Sequence, residues 1–62
     1  MPSLIIYRDG RPVHPARRVR TGEDVDALIE AALAAGASRV RVVSRATGRE
    51  LRVVEAVERI PG

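Results

Sequence analysis

Apolar positions change their period along this chain, and the changes divide it into elements. Between Val25 and Leu33 they recur at Val25, Leu28, Ile29, Ala32 and Leu33, the spacing of one helical face. Before that stripe, Leu4-Ile5-Ile6-Tyr7 is apolar and rich in residues that fit a pleated surface, predicting a strand over residues 3–8. After it, Ser38 to Arg45 alternates: Val40 and Val42 fall on one face, Arg39, Arg41, Val43 and Arg45 on the other. A last strand is expected from Glu50 to about Val57, with Ile60-Pro61-Gly62 as a tail.

The punctuation between these blocks is specific. Asp9-Gly10 is a hairpin signal, because both central residues of a type I′ turn need positive φ. It pairs Arg8 with Arg11, Tyr7 with Pro12, Ile6 with Val13 and Ile5 with His14. The returning strand, residues 11–20, is expected at the sheet edge and kinked near Pro15, which has no N–H to donate. A helix over residues 22–35 follows. Thr21 is its expected cap, with Asp24 completing a capping-box-like pair. Glu23, Asp24 and Asp26 suit the positive end of the helix dipole, and Gly36 suits its left-handed stop. Ala46-Thr47-Gly48-Arg49 is the second turn. Pairing Arg45 with Glu50 sets Val42 against Val53 and Ser44 against Leu51 on one face. It sets Arg41 against Val54 and Val43 against Arg52 on the other.

The expected fold is α+β: a ββαββ two-layer sandwich in a single domain, residues 1–62. One four-stranded, mostly antiparallel sheet carries one helix packed on one face. Strand orders 2-1-3-4 and 2-1-4-3 are both compatible with the pattern.

Composition narrows the function more by exclusion than by assignment. Sixty-two residues bury only about 60% of the unfolded surface, and with no Cys and a single His neither a disulfide nor a zinc site can reinforce the core. Eleven basic residues, all Arg, stand against eight acidic ones, a net charge of +3 that attracts polyanions only loosely. No apolar run approaches the length of a membrane span, and no basic start with an apolar run marks a signal peptide. The expectation is a soluble chain, cytoplasmic if natural, with no cofactor, metal or small-molecule ligand evident. His14, between Val13 and Pro15, reads as an edge-strand filler. No serine stands in a nucleophile motif, so the chain is expected not to be an enzyme.

One helix covers one face, which leaves the other open. The residues expected there are Tyr7, Arg39, Arg41, Val43, Arg45, Arg52 and Val54, with Ile5 and His14 from the first hairpin. Tyr and Arg among apolar residues suit a protein contact, including a homodimer. A solvated face with arginines lying over Val methyls and paired to Glu50 and Glu55 is the plainer alternative. Nucleic acid has the arginines but only Tyr7 for stacking.

Two resemblances follow. Leu4 to Ala35 resembles, in order and spacing, the opening ββα of β-grasp domains; the chain lacks that family's extra strand, and Pro61-Gly62 is not a Gly-Gly tail. Across its whole length the chain resembles de novo designed idealised mini-proteins. Asp9-Gly10, Thr21-Gly22-Glu23-Asp24, Gly36-Ala37-Ser38 and Thr47-Gly48 carry that likeness. His14, Pro15, the Arg17-Arg18 pair and the Lys-free helix depart from it. This resemblance implies a non-enzymatic scaffold or protein-binding module that uses the open sheet face or the helix surface. The competing expectation is a natural bacterial or phage domain that binds nucleic acid or an acidic partner through sheet arginines.

Overall fold

Asp9 and Gly10 hold φ values of 52° and 78°, the pair of left-handed conformations the first turn demands. The hairpin around them opens the chain in a computed structural model that describes residues 1–56. Strand β1, Pro2–Arg8, pairs antiparallel with β2, Arg11–Pro12, in the expected register: Arg8 against Arg11 and Tyr7 against Pro12. The Val13 amide still donates to the Ile6 carbonyl at 2.7 Å. The ladder then breaks. The continuous returning strand expected over residues 11–20 is instead two short pieces, β2 and β3, Arg17–Arg18. Pro15 sits in the gap, reached through a cis His14–Pro15 bond, and it has no N–H to give to β1. Beyond it, β3 rejoins β1 with Ser3 against Arg18 and Leu4 against Arg17, and the Val19 amide donates to the Pro2 carbonyl at 3.0 Å.

Helix α1 spans Val25–Ala34, shorter than the expected 22–35. Its cap is Asp24, not Thr21: the Asp24 carboxylate accepts from the Asp26 amide at 2.9 Å. Glu23, expected in the first turn, lies before the helix and turns its carboxylate back to accept from the Arg20 amide at 2.8 Å. Asp24 outcompetes Thr21 because Gly22, at φ 90°, redirects the chain between them. At the other end Gly36 takes φ 103°. The Gly36 amide donates to Leu33 O and the Ala37 amide to Ala32 O, the two bonds of a Schellman stop.

Strand β4, Arg39–Ser44, lies beside β1, and β5, Glu50–Glu55, lies beyond it, all antiparallel. The sheet order is β2-β1-β4-β5, with β3 continuing the β2 edge. Counting β2 and β3 as one broken edge, this is the order 2-1-3-4. The stripe predicted on the helix packs on the sheet: Ile29 and Leu33 are buried, and Val25, Leu28 and Ala32 pack against them. Leu4, Val19, Ala37, Val40 and Val42 complete the core.

The second hairpin departs from the expected register. The Ser44 amide donates to the Arg49 carbonyl, so the loop closes one residue earlier on each strand than the predicted Arg45/Glu50 pair. Leu51 is then left over in a bulge between the Val43/Glu50 and Val42/Arg52 pairs. The net slip is one residue, which exchanges the faces of β5. Val54 now pairs with Val40 and packs on the core, and Val53 pairs with Arg41. Ser44 and Thr47 fix the earlier loop. Ser44 Oγ accepts from the Thr47 amide at 3.4 Å and Thr47 Oγ1 from the Arg49 amide at 3.2 Å, while Gly48 supplies φ 75°. The expected end of the last strand at Val57 and the Ile60-Pro61-Gly62 tail lie outside the described residues.

Candidate functional site

Side chains of directly opposed residues share a face of the sheet, so the pairings define the surface that α1 does not cover. Three rows cross it. Tyr7, Arg39 and Glu55 form one, Ile5, Arg41 and Val53 the next, and Ser3, Val43 and Glu50 the third. Arg18 extends the third row across β3, and Pro12 extends the first across β2.

The centre of this face is ordered by polar contacts. The Arg39 guanidinium carbon stands 4.3 Å from the centroid of the Tyr7 ring, a cation–π geometry. Arg41 Nη1 donates to Tyr7 Oη at 3.2 Å, and Arg41 Nε donates to Glu50 Oε1 at 2.8 Å. Tyr7 is therefore gripped by two arginines, one over its ring and one at its hydroxyl. The Arg41 hydrogen bond, with the positive charge of both arginines, holds the phenol below its usual pKa against a smaller desolvation effect. Arg41 is itself held more firmly protonated, first by Tyr7 and then by Glu50. Around this cluster lie Ile5 and Val43, half-buried, and Val53, which is 40% exposed.

The predicted face is thus brought together in part. Tyr7, Arg39, Arg41, Val43 and Ile5 occupy it as expected. Arg52 and Val54 do not: the slipped register turns both toward α1, where Arg52 pairs with Asp26. Arg45 lies beyond the end of β4 in the turn, and His14 lies exposed in the break between β2 and β3. Val53 takes the place predicted for Val54, opposite Arg41, and Glu50 the place predicted for Arg52, opposite Val43. The signal that would have found them was local: Ser44 and Thr47 as turn-forming side chains ahead of Gly48.

A second concavity lies at the corner where β3, the start of β1 and the β4–β5 turn meet. It is an open cleft of about 600 Å³. Pro15, Ala16 and Val19 give it apolar walls, and Arg17, Arg18, Arg20 and Arg45 line it. Arg17 is committed elsewhere, with its guanidinium on Glu23 at 2.7 Å. That pair lowers the Glu23 pKa, with the Arg20 amide adding to the effect.

Among the described residues no three His, Asp or Glu side chains come together as a metal-holding group, and no helix is long and apolar enough to cross a membrane. Compared with protein-family models, curated proteins and solved structures, the chain finds no significant match.

Proposed function

We propose that this chain is a non-enzymatic protein-binding module whose working surface is the open face of its sheet, and that the surface it takes there is a second copy of itself. The observation that carries this reading is the ordered Tyr7–Arg39–Arg41–Glu50 cluster set among Ile5, Val43 and Val53. Tyr and Arg are the side chains that most often anchor protein contacts. Here they are already immobilised, so docking them costs less conformational entropy than docking mobile ones.

Charge favours a like partner. Strand β4 presents Arg39 and Arg41 on this face, and β5 presents Glu50 and Glu55 beside them. A two-fold axis between the two strands lays each copy's β4 over the other's β5, arginines toward glutamates, with sheets about 10 Å apart. The apolar residues of the face then cover one another. The footprint is small: strands of about six residues at ~3.3 Å each, over three strands ~4.8 Å apart. It belongs to the size class of transient contacts, and a dimer that dissociates on dilution is expected.

Light scattering over a concentration series tests this. The expected mass climbs toward twice that of the chain and does so in high salt as well, because screening reaches the rim charges more than the covered apolar residues. Val53→Glu should keep the protein monomeric at every concentration while leaving its circular dichroism unchanged. A wild-type protein that stays monomeric to millimolar concentration would sink the proposal.

A further inference from the structure

The cleft at the β3 corner gathers arginines that have no ion-pair partner among the described residues. Among the described residues Arg17, Arg41 and Arg52 each have a carboxylate within ion-pair distance. Arg8, Arg11, Arg39 and Arg49 have none, and neither do Arg18, Arg20 and Arg45, whose guanidinium groups make no hydrogen bond among the described residues. Arg18 and Arg20 come from the β3 segment and Arg45 from the β4–β5 turn, yet they line one concavity, in which no acidic residue takes part among the described residues. Their backbones are fixed: Arg18 in the ladder opposite Ser3, Arg20 through its amide on Glu23, and Arg45 beside the bonded Ser44–Arg49 loop closure. Like charges gathered without a counter-ion repel one another, and a bound anion relieves that repulsion. Guanidinium forks match the oxygens of a phosphoryl group in geometry as well as charge. The apolar walls of Pro15, Ala16 and Val19 leave room beside the charge for the body of a ligand. No aromatic side chain lines the cleft, and Tyr7 is already engaged by two arginines, so base stacking is not on offer.

We infer that this cleft binds a phosphoryl group, as a phosphate monoester or pyrophosphate, through Arg18, Arg20 and Arg45. Such a group reaches it either on a small molecule or on a phosphorylated side chain of a protein.

The test is an amide-resolved NMR titration of the full chain with inorganic pyrophosphate at about 0.15 M salt, where diffuse attraction is screened. Saturable shifts concentrated at Ala16, Arg18, Val19, Arg20 and Arg45 are expected. Arg20→Gln with Arg45→Gln should weaken binding about tenfold or more, the loss of two charge-assisted contacts. Arg49→Gln, an exposed arginine outside the cleft, should leave it unchanged, and circular dichroism checks that each variant is folded. Ribose 5-phosphate and a phosphoserine peptide, titrated in parallel, separate the two sources. Tighter binding of either supports the site and names the source. The proposal is overturned if pyrophosphate fails to saturate by about 10 mM, or if Arg49→Gln weakens binding as much as the cleft variants. It is equally overturned if the only tight ligand is a single-stranded oligonucleotide whose shifts spread over arginines on every face.

Discussion

Two neighbouring residues on β5 decide whether the second hairpin carries its bulge. With the bulge, Val54 lies opposite Val40, which is fully buried, and packs on the core, while Val53 lies opposite Arg41 on the open face. Without the slip the two exchange roles. Glutamate placed at each in turn reads the difference. Full burial of a Val side chain is worth about 1.5–3 kcal/mol, and Val54 is partly buried, so losing its packing costs about 1–2 kcal/mol. A carboxylate forced against Val40 and the helix adds a desolvation penalty of about 1–3 kcal/mol. The sum, about 2–5 kcal/mol, is large beside the roughly 3–9 kcal/mol expected for a chain of this length. Val53→Glu loses a side chain already 40% exposed and sets a carboxylate opposite Arg41, so a change within about 0.5 kcal/mol is expected. Urea unfolding followed by far-ultraviolet circular dichroism at low concentration, where any dimer has dissociated, measures both. With a slope near 1 kcal/mol per molar urea, Val54→Glu should lower the midpoint by about 2 M or more and Val53→Glu by about 0.5 M at most. If Val53→Glu proves the more damaging, the bulge is wrong and so is the composition of the open face.

Three further outcomes follow from the same contacts. Tyr7 is the only tyrosine and there is no tryptophan, so the rise in phenolate absorbance on alkaline titration reports it alone. Its midpoint should fall below 10.0 and move up in Arg41→Gln; because the folded pKa is the lower one, the stabilisation appears only as pH rises through it toward 10.0, and a midpoint at or above 10.0 in the wild type refutes the contact. Glu23 is held below its ordinary 4.5 first by Arg17, so its contribution is complete above 4.5 and is lost as pH falls through the folded value. Thermal melts across the acid limb should show a shallower fall in Arg17→Gln, and identical slopes would remove the pair from the account. Asp24→Ala should cost about 1 kcal/mol and Thr21→Ala less than about 0.5 kcal/mol in the urea assay, the reverse order restoring Thr21 as the cap.

What the sequence made legible follows from the range of the interactions concerned. The Asp9-Gly10 turn, the helical stripe and the Gly36 stop are each set within a few residues, and each stands where the pattern puts it. The errors lie where two local signals compete. Thr21 and Asp24 are both capping residues, and Gly22 between them tips the outcome, a conformational preference that periodicity does not carry. In the second hairpin the alternation of Val, Arg and Glu favours the Arg45/Glu50 register, which keeps the faces unmixed, and the structure adopts another. The choice falls to Ser44, Thr47 and Gly48, and the bulge at Leu51 then reconciles their loop with a buried Val54. Strand order was open because it is set by long-range pairing, with β1 taking β4 as its second neighbour. The corner cleft was invisible for the same reason. Arg18 and Arg45 are remote in sequence, and only the meeting of β1 with both β3 and β4 brings them to one concavity.

The division of the arginines explains why the two surfaces should take different ligands. On the open face Arg39 lies over Tyr7, and Arg41 is bonded to both Tyr7 and Glu50. A phosphate arriving there must break those contacts or share them with a carboxylate, and either reduces its gain. A second protein surface need not, since it can cover the ring, the valines and the arginine stems while the heads keep their partners. On the helix side Arg17 and Arg52 are spent on Glu23 and Asp26, joining the edge strands to the start of α1. The corner is different. Its three arginines lack a carboxylate among the described residues, and Glu23, close in sequence, is already occupied by Arg17 and the Arg20 amide. Other arginines also lack a carboxylate among the described residues, but Arg18, Arg20 and Arg45 converge on one concave site, where local geometry rather than total charge selects the anion.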